Sequence, residues 1–249
     1  MRNDDLETRM RERERFHALT LHPGAWAIVR VDGRSFSKYT ETRFDKPFDP
    51  RFSALMAGAA EALLTELGGR YAYTESDEIS VVLDPANELF GREVEKLVSL
   101  SAGITTAAFT HAAGEPAVFD GRVWTGTSLD DVVDYLSWRQ ADAARCALNG
   151  WCYWTLRKDG RSARQATRDM HRTSVSDKNE LLFARGINFN DVPAWQRRGV
   201  GLWFETFEKA GHDPVADVPV TATRRRVRVE RELPMRDAYR TFVRDLLVR

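Results

Sequence analysis

Glu75-Ser76-Asp77-Glu78 packs three carboxylates and a hydroxyl into four residues, with no Gly, Pro or Asn among them. Like charges repel at a tight turn, so the cluster is unfavourable unless a cation shares the space. Hard divalent cations take oxygen ligands and cancel that charge. Taken alone, an acidic tetrapeptide reads more simply as a solvated turn. A second place shifts the balance: Asp32 is followed by Gly33, where the absent side chain lets main chain approach a ligand, and then by Arg34. Asp32, the Gly33 carbonyl and Asp77 together suit a pair of Mg2+ ions, the arrangement that activates an attacking oxygen and stabilises a leaving one in phosphoryl transfer. A lone Asp-Gly is a strand-end turn; beside Ser76-Asp77-Glu78, the metal reading prevails.

The elements around these residues must bring them together. Tyr71, Tyr73 and Thr74 precede the acidic cluster and Ile79, Val81, Val82 and Leu83 follow it, all strand-favouring types. Ala25–Val31 is a near-continuous apolar run that stops at Asp32, as a central strand would. Between the two lies a helical face from Phe52 to Leu67, closed by Gly68-Gly69. A second helix is expected within Glu88–Ala113, with Val94, Leu97, Val98, Leu100, Ile104 and Ala108 inside, and then a strand over Pro116–Trp124. The sum is α+β, the ferredoxin-like β-α-β-β-α-β order. In that topology the first strand is central and pairs with the strand that closes the hairpin, so Asp32 and Asp77 converge.

The second half reads as largely helical. Ser128 is a helix cap with Asp131 three residues on, and the helix runs from Leu129 to about Arg157, with an interruption at Asn149-Gly150. Its core candidates include Leu148, Trp151 and Trp154, while Ser137-Trp138-Arg139-Gln140 is assigned to the polar face except for Trp138, read as core. Another helix starts near Ser174 or Ser176 and stops at Gly186. Strand-like patterns follow from Val200 and over Val215–Val229, then a closing helix from Leu233 to Val248. Residues 4–20 suggest an amphipathic helix. The expected division is residues 1–135, the N-terminal helix and catalytic palm, against residues 136–249, packed on it as one unit.

With 249 residues, 43% hydrophobic and 30% charged, the chain has the make-up of a soluble globular protein. No apolar run approaches the roughly 20 residues of a membrane span, and no membrane partner is expected. The N-terminus lacks an apolar signal region, and Cys146 and Cys152 read as buried or semi-buried thiols in a reducing compartment, which points to the cytoplasm. The histidines have no ligand spacing, so zinc is not supported. Net charge is zero, and bulk electrostatics do not announce a nucleic-acid binder. Arg157, Lys158, Arg161, Arg164, Arg168 and Arg172 nevertheless outnumber Asp159 and Asp169 locally. Such a patch fits a polyanion held away from an acidic site, and equally a solvated helix face. Arg224–Arg228 reads as a solvated strand face or subunit contact.

Several strings carry a resemblance. Arg30-Val31-Asp32-Gly33-Arg34-Ser35-Phe36, Phe44-Asp45-Lys46-Pro47, Ser76-Asp77-Glu78 and Phe119-Asp120-Gly121-Arg122-Val123 occur in this order. Asp134-Tyr135-Leu136-Ser137-Trp138-Arg139-Gln140-Ala141-Asp142 and Asp177-Lys178-Asn179-Glu180-Leu181-Leu182-Phe183 continue it. From about residue 25 to residue 200 the chain resembles tRNA-His guanylyltransferases and their bacterial and archaeal Thg1-like relatives, the reverse polymerases. The resemblance implies a polymerase palm that acts on tRNA 5′ ends. A 5′-monophosphate is activated with ATP or GTP, and the 3′-hydroxyl of an incoming nucleoside triphosphate then attacks, so that growth runs 3′-to-5′. It implies that Asp32, Gly33 and Asp77 hold two Mg2+ ions, with Glu78 beside them as a further catalytic residue. Lys46 and Ser76 would contact the activating nucleotide, and Arg30, Arg34 and Lys178 its phosphates. Arg139 and Lys178 would contact tRNA, although helix ends and salt bridges account for both equally well. A homotetramer is also implied.

One departure bears on substrate. Family members that mark tRNA-His carry a His-Ile-Asn-Asn-Leu-Tyr-Asn string where this chain has Ala144-Arg145-Cys146-Ala147-Leu148-Asn149-Gly150, and Phe48 stands where Asn is expected. Loss of the string resembles the Thg1-like subgroup, which implies templated repair of truncated tRNA 5′ ends, with addition of an extra G to tRNA-His as the alternative. Two other classes are weighed. A nucleotidyl cyclase would use the same palm without RNA, and the helical second half counts against it. A catalytically silent tRNA-binding module is disfavoured by the presence of both Asp32 and Asp77.

Overall fold

Alternation within the strands decides the architecture. The computed structural model describes residues 3–213 and 218–248. Helix α1 (Asn3–Arg11) leads to strand β1 (Trp26–Gly33), short helix α2 (Phe36–Glu41) and helix α3 (Pro50–Glu66). Strands β2 (Tyr71–Glu75) and β3 (Glu78–Leu83) form a hairpin, followed by helix α4 (Val94–Ala113) and strand β4 (Phe119–Gly126). Helices α5 (Leu129–Lys158), α6 (Ala163–Met170), α7 (Val175–Phe183) and α8 (Ala194–Arg198) come next. Strands β5 (Val200–Asp213) and β6 (Val218–Glu230) and helix α9 (Asp237–Leu247) complete it. The strands make one antiparallel sheet in the order β4-β1-β3-β2-β5-β6. Its first four members have the expected ferredoxin-like order, with β1 against β3.

Successive side chains of a strand point to opposite faces. Ala27, Val29 and Val31 of β1 and Ile79, Val81 and Leu83 of β3 are buried in the cluster that includes Met56, Leu63 and Leu64 of α3 and Leu97 and Phe109 of α4. Ile28, Val82, Tyr71 and Tyr73 belong to the opposite cluster, with Val132, Val133 and Leu136 of α5 and Tyr239 and Val243 of α9. The caps hold the helices where the sequence marks them. Asp49 accepts from the Arg51 N–H at 2.8 Å at the start of α3, with Pro50 in its first turn. Ser128 and Asp131 form a reciprocal capping box on α5, as Ser174 and Asp177 do on α7.

Several expectations change. The N-terminal helix stops at Arg11 and a 3-10 turn, Arg15–Ala18, follows. Helix α5 is unbroken over 30 residues. Glycine costs a helix about 1 kcal/mol relative to alanine, but Leu148 and Cys152, on either side of Gly150, are buried with Leu182 and hold the helix together there. The buried stripe of α4 is Leu97, Ser101, Thr105 and Phe109, spaced by fours, and this turns Leu100 out to solvent. On α5, Arg139 and Gln140 are buried while Trp138 is 56% exposed, the reverse of the expected faces. Cys152 is buried, but Cys146 is exposed. The start of the strand expected from Val215 lies outside the described residues; from Val218 onward β6 pairs with β5. That long hairpin extends the sheet past β2, to which it is joined only through Ala72–Thr74. The expected division at 135–136 falls inside α5. Among the described residues, no helix is long and apolar enough to cross a membrane.

Candidate active site

Along the face of β1 covered by α5, the side chains change from Ile28 to Arg30 to Asp32. The strand register then assembles a row. Asp32 lies opposite Glu78 on β3 and Asp120 on β4, and Glu78 lies opposite Glu75 on β2. Four carboxylate residues thus cross one end of the sheet. Asp120, at the rim, is largely exposed and pairs with Arg122 at 3.2 Å. The inner members are buried or half-buried, and for Glu75 and Glu78 burial disfavours the charged form. Glu75 is pushed up to about 8, first by burial and then by the charge of Glu78, against the pull of Arg139.

Arg139 reaches into this row from α5. Its Nε donates to Glu78 Oε1 at 2.7 Å and its Nη2 to Glu78 Oε2 at 2.8 Å, a two-point clamp. The same Nη2 reaches Glu75 at 3.2 Å and Asp142 at 3.3 Å. Burial opposes charge on Arg139, yet these carboxylates carry its pKa above the ordinary value. Glu78 stays above the ordinary range because burial outweighs Arg139. The expected tRNA contact by Arg139 is therefore corrected: its guanidinium is buried in an ion-pair network and is not presented to a macromolecule. Both Glu78 oxygens accept from Arg139, which fixes that side chain beside the hairpin tip. Arg30 is half-buried on the same side, with Nη1 at 3.7 Å from Glu78 Oε2.

The aspartates meet at the hairpin tip. Ser76 and Asp77 form a two-residue turn in which Ser76 takes φ 50°, the left-handed conformation that short hairpins ask for and that glycine usually supplies. The Gly33 N–H donates to the Asp77 carbonyl at 3.0 Å, which ties the end of β1 to the turn. Asp77 is raised above the carboxylate range, chiefly by burial and also by the charge of Asp32; the Ser76 hydroxyl at 3.0 Å and Lys46 oppose this. Gly33 has a packing reason as well: a Cβ there would stand 2.4 Å from the Phe36 ring, which is held by Phe109 and Phe119.

Two like-charged, partly desolvated carboxylates beside main chain form a hard-oxygen donor set that suits Mg2+, which uses one or two carboxylates and completes its shell with waters and phosphates. Among the described residues no group of three or more His, Cys, Asp or Glu side chains is arranged to hold a metal. The fit therefore rests on this smaller set.

Ser76 and Asp77 open into a cavity of about 610 Å3 between the hairpin tip, the loop Phe44–Asp49 and α5. That volume lies in the range of small-molecule sites, roughly 300–1,000 Å3. Lys46 lines it, with Nζ donating to Thr40 Oγ1 at 2.6 Å and standing 5.7 Å from the Trp154 ring centre. Burial lowers the Lys46 pKa, while Glu41, Asp77 and Asp49 pull it back up. Phe48 packs edge-on against Trp195 at 6.0 Å, and both line the cavity. The altered segment lies here as well, through Cys146, Ala147 and Gly150. Thr40, Tyr153 and Trp154 were not foreseen as wall residues. A signal exists in the helical stripe Ala143, Ala147 and Gly150, whose small side chains leave room for the cavity.

Lys46, Ser76 and Asp77 thus share one cavity, with Asp32 and Gly33 joined to it through the Asp77 turn. Arg34 is exposed just after β1, its N–H bonded to the Val118 carbonyl at 2.8 Å. Lys178 stands apart on α7, where its carbonyl accepts from the Cys152 thiol at 3.4 Å, and it does not line the cavity.

Comparison with known proteins gives a consistent answer. A family model described as tRNAHis guanylyltransferase matches residues 7–126, and one described as the Thg1 C terminal domain matches residues 130–239. A probable tRNA(His) guanylyltransferase of Dictyostelium discoideum is 35% identical over 219 residues, 82% of this chain and 84% of that protein. A bacterial tRNA(His) guanylyltransferase (Thg1)-like protein solved in complex with ATP superposes with a TM-score of 0.77 at 28% identity, covering 97% of this chain and 98% of its own. The Saccharomyces cerevisiae tRNA(His) guanylyltransferase gives a TM-score of 0.70 at 27% identity, over 76% of this chain and 90% of that one.

Proposed function

This chain belongs to the tRNA-His guanylyltransferase family of nucleotidyltransferases, and we propose that it repairs truncated tRNA 5′ ends by templated 3′-to-5′ nucleotide addition. The carrying observation is the cavity wall on α5. Where the tRNA-His-marking relatives have three asparagines of that string, Cys146, Ala147 and Gly150 face the cavity here, and the position of their histidine is Ala144. They offer no side-chain amide or imidazole to select one nucleotide, so selection falls to the base opposite the missing position. The end-to-end likeness to the bacterial Thg1-like protein supports the same reading.

In this reading ATP or GTP enters the cavity with its base against the aromatic wall that Tyr153 and Trp154 form by packing edge-on at 5.3 Å. Lys46 and Ser76 hold its phosphates. The tRNA 5′-phosphate oxygen attacks the α-phosphorus and pyrophosphate leaves; the 3′-hydroxyl of the incoming nucleotide then attacks the activated 5′-phosphorus, and the nucleoside monophosphate leaves. Asp32, the Gly33 carbonyl and Asp77 would hold two Mg2+ ions, which would ease deprotonation of the attacking 3′-hydroxyl and offset charge on the leaving group. Arg139, through Glu78, keeps the carboxylate row rigid behind them. Arg30 and Arg34 are near enough in the chain to Asp32 to meet phosphates, whereas Lys178 on α7 serves the RNA instead.

The test offers purified protein Mg2+, ATP and all four nucleoside triphosphates with two RNAs. One is a 5′-monophosphorylated tRNA lacking its first nucleotide, the other full-length tRNA-His. Preferential filling of the gap, with the nucleotide complementary to the opposite base, is expected. Preferential addition of G to tRNA-His would establish the alternative, which the activity named for the Dictyostelium relative favours. Extension of neither overturns both. From the family likeness we also infer a cytoplasmic homotetramer; sedimentation at the 28.4 kDa of one chain would overturn that assembly.

A further inference from the structure

An acidic reaction site is a poor place to hold a polyanion. Glu75, Asp77, Glu78 and Asp32 repel phosphodiesters, so an RNA whose 5′ end enters this cavity needs its body gripped elsewhere. We infer that α6 and the end of α5 supply that grip: a sequence-independent phosphodiester-binding surface centred on Arg164 and Arg168, aided by Lys158 and Arg172. The inference rests on the nucleic-acid substrate proposed above and names the surface that receives it.

Charge bookkeeping singles out this surface. Arg164 and Arg168 are one helical turn apart on α6 and both exposed, and like charges at this spacing destabilise a helix. The two acids in the neighbourhood are committed elsewhere. Asp169 pairs with Arg161 at 3.5 Å, and Asp159 with Arg185 at 2.6 Å. Among the described residues, Lys158, Arg164, Arg168 and Arg172 have no ion-pair partner. On the basic hairpin Arg226 and Arg228 pair with Glu205, and Arg228 also with Glu230, while Arg225 lies over the Phe204 ring.

Neighbouring concavities with shared wall residues lie between the surface and the reaction site. A concavity of about 550 Å3 between α5 and α6 shares Gly150 and Tyr153 with the reaction cavity. It shares Thr167 and His171 in turn with a shallow concavity of about 490 Å3 that holds Arg164 and Arg168. On the other flank, Lys46 and Trp154 border both the reaction cavity and a concavity of about 370 Å3 lined by Arg157 and Lys158. A strand leaving the Ser76-Asp77 tip can therefore follow a groove whose charge turns from negative to positive. Contacts to phosphate position a nucleic acid without reading its sequence, which suits an enzyme acting on many truncated tRNAs.

The probe is a 5′-monophosphorylated tRNA lacking its first nucleotide, titrated at several KCl concentrations. The Arg164→Ala/Arg168→Ala variant should bind it about tenfold more weakly, and the slope of log affinity against log salt should fall by about two, one unit per lost phosphate contact. ATP affinity and the extension rate at saturating RNA should stay at wild-type values, and the unfolding midpoint should stay level or rise as the repulsion within α6 is relieved. Arg164→Lys/Arg168→Lys should restore most of the affinity and the slope. Wild-type affinity and slope in the alanine variant would overturn the inference. The two readings fail separately: a wild-type protein that binds RNA through these residues yet extends neither substrate defeats the enzymatic proposal alone. Extension with an unaltered salt slope in the variant defeats this one alone, and a wild-type protein with no RNA affinity defeats both.

Discussion

Alternate residues of β1 go to opposite faces of the sheet, and the two faces end differently. Under α3 and α4, Ala27, Val29 and Val31 remain in an apolar layer that continues into Phe36 beyond the strand. Under α5 and α9 the run begins with Ile28 in the same manner, then gives way to Arg30 and Asp32 and meets Glu78, Glu75 and Arg139. One face buries no charge along α4: its buried polar side chains there, Ser101 and Thr105, are uncharged hydroxyls within an otherwise apolar layer. The other holds carboxylates with raised pKa values in a partly buried place, an arrangement that lowers stability and suits cation and phosphate chemistry. The strands are the same; their alternation separates a layer for folding from a layer for function.

Substitutions that remove one member of each layer sharpen the contrast. The largest expected loss of stability is Arg139→Met, which leaves Glu78 and Glu75 without their clamp. Breaking a buried pair by removing one partner typically costs about 3–5 kcal/mol, and chemical unfolding should show a loss of that size near neutral pH. Little change would mean that water reaches the row and the clamp is superficial. On the apolar face, Leu64→Ala should lose about 3 kcal/mol through transfer and cavity effects, while nucleotide addition per folded molecule stays unchanged. An equal fall in specific activity would show that the faces are not separable.

Lys46→Ala tests the cavity. Activation of a 5′-monophosphorylated tRNA should slow by about ten- to a hundredfold, about 1.4–2.7 kcal/mol in the barrier. Addition to a tRNA that already carries a 5′-triphosphate should fall much less, and equal losses in both steps would remove Lys46 from activation. The smallest effect is expected at the cap of α3, where Asp49→Ala should cost about 1 kcal/mol. Arg51 holds the Asp49 carboxyl well below the usual range, with its main-chain N–H and that of Asp45 also donating. Because the folded pKa is depressed, the contribution of Asp49 is complete above the unfolded value and is lost as pH falls through the folded one. The difference between Asp49→Ala and wild type should therefore shrink below about pH 4, the unfolded carboxylate value. A difference that grows in acid would contradict this assignment.

The palm was legible because its signals are local and periodic. The run into Asp32, the two halves of the hairpin and the intervening helix fix the strand order, and that order places Asp32 beside Asp77. Ser76 adopting φ 50° was not legible, since its side chain gives no sign that it would take a position glycine normally fills. The face of α5 was misread for a different reason. Arg139 is buried only because its partner Glu78, 61 residues earlier, is brought beneath it by the sheet. A helical pattern cannot report that partner; it leaves Arg139 on the polar face and neighbouring Trp138 in the core. Leu100 shows the same limit: α4 buries Ser101 and Thr105 in preference to it, a choice made by the surfaces of α3 and β4.

The most direct measurement of the central claim compares Asp77→Asn with wild type in two assays, Mg2+-dependent nucleotide addition and thermal unfolding. The substitution keeps the shape of the side chain, removes its charge and relieves its repulsion with Asp32. Addition should fall by at least about a thousandfold, about 4 kcal/mol in the barrier, while the unfolding midpoint stays level or rises. Near-wild-type addition, or loss of activity only in step with loss of fold, would contradict the account and leave the carboxylate end of the sheet without its chemistry.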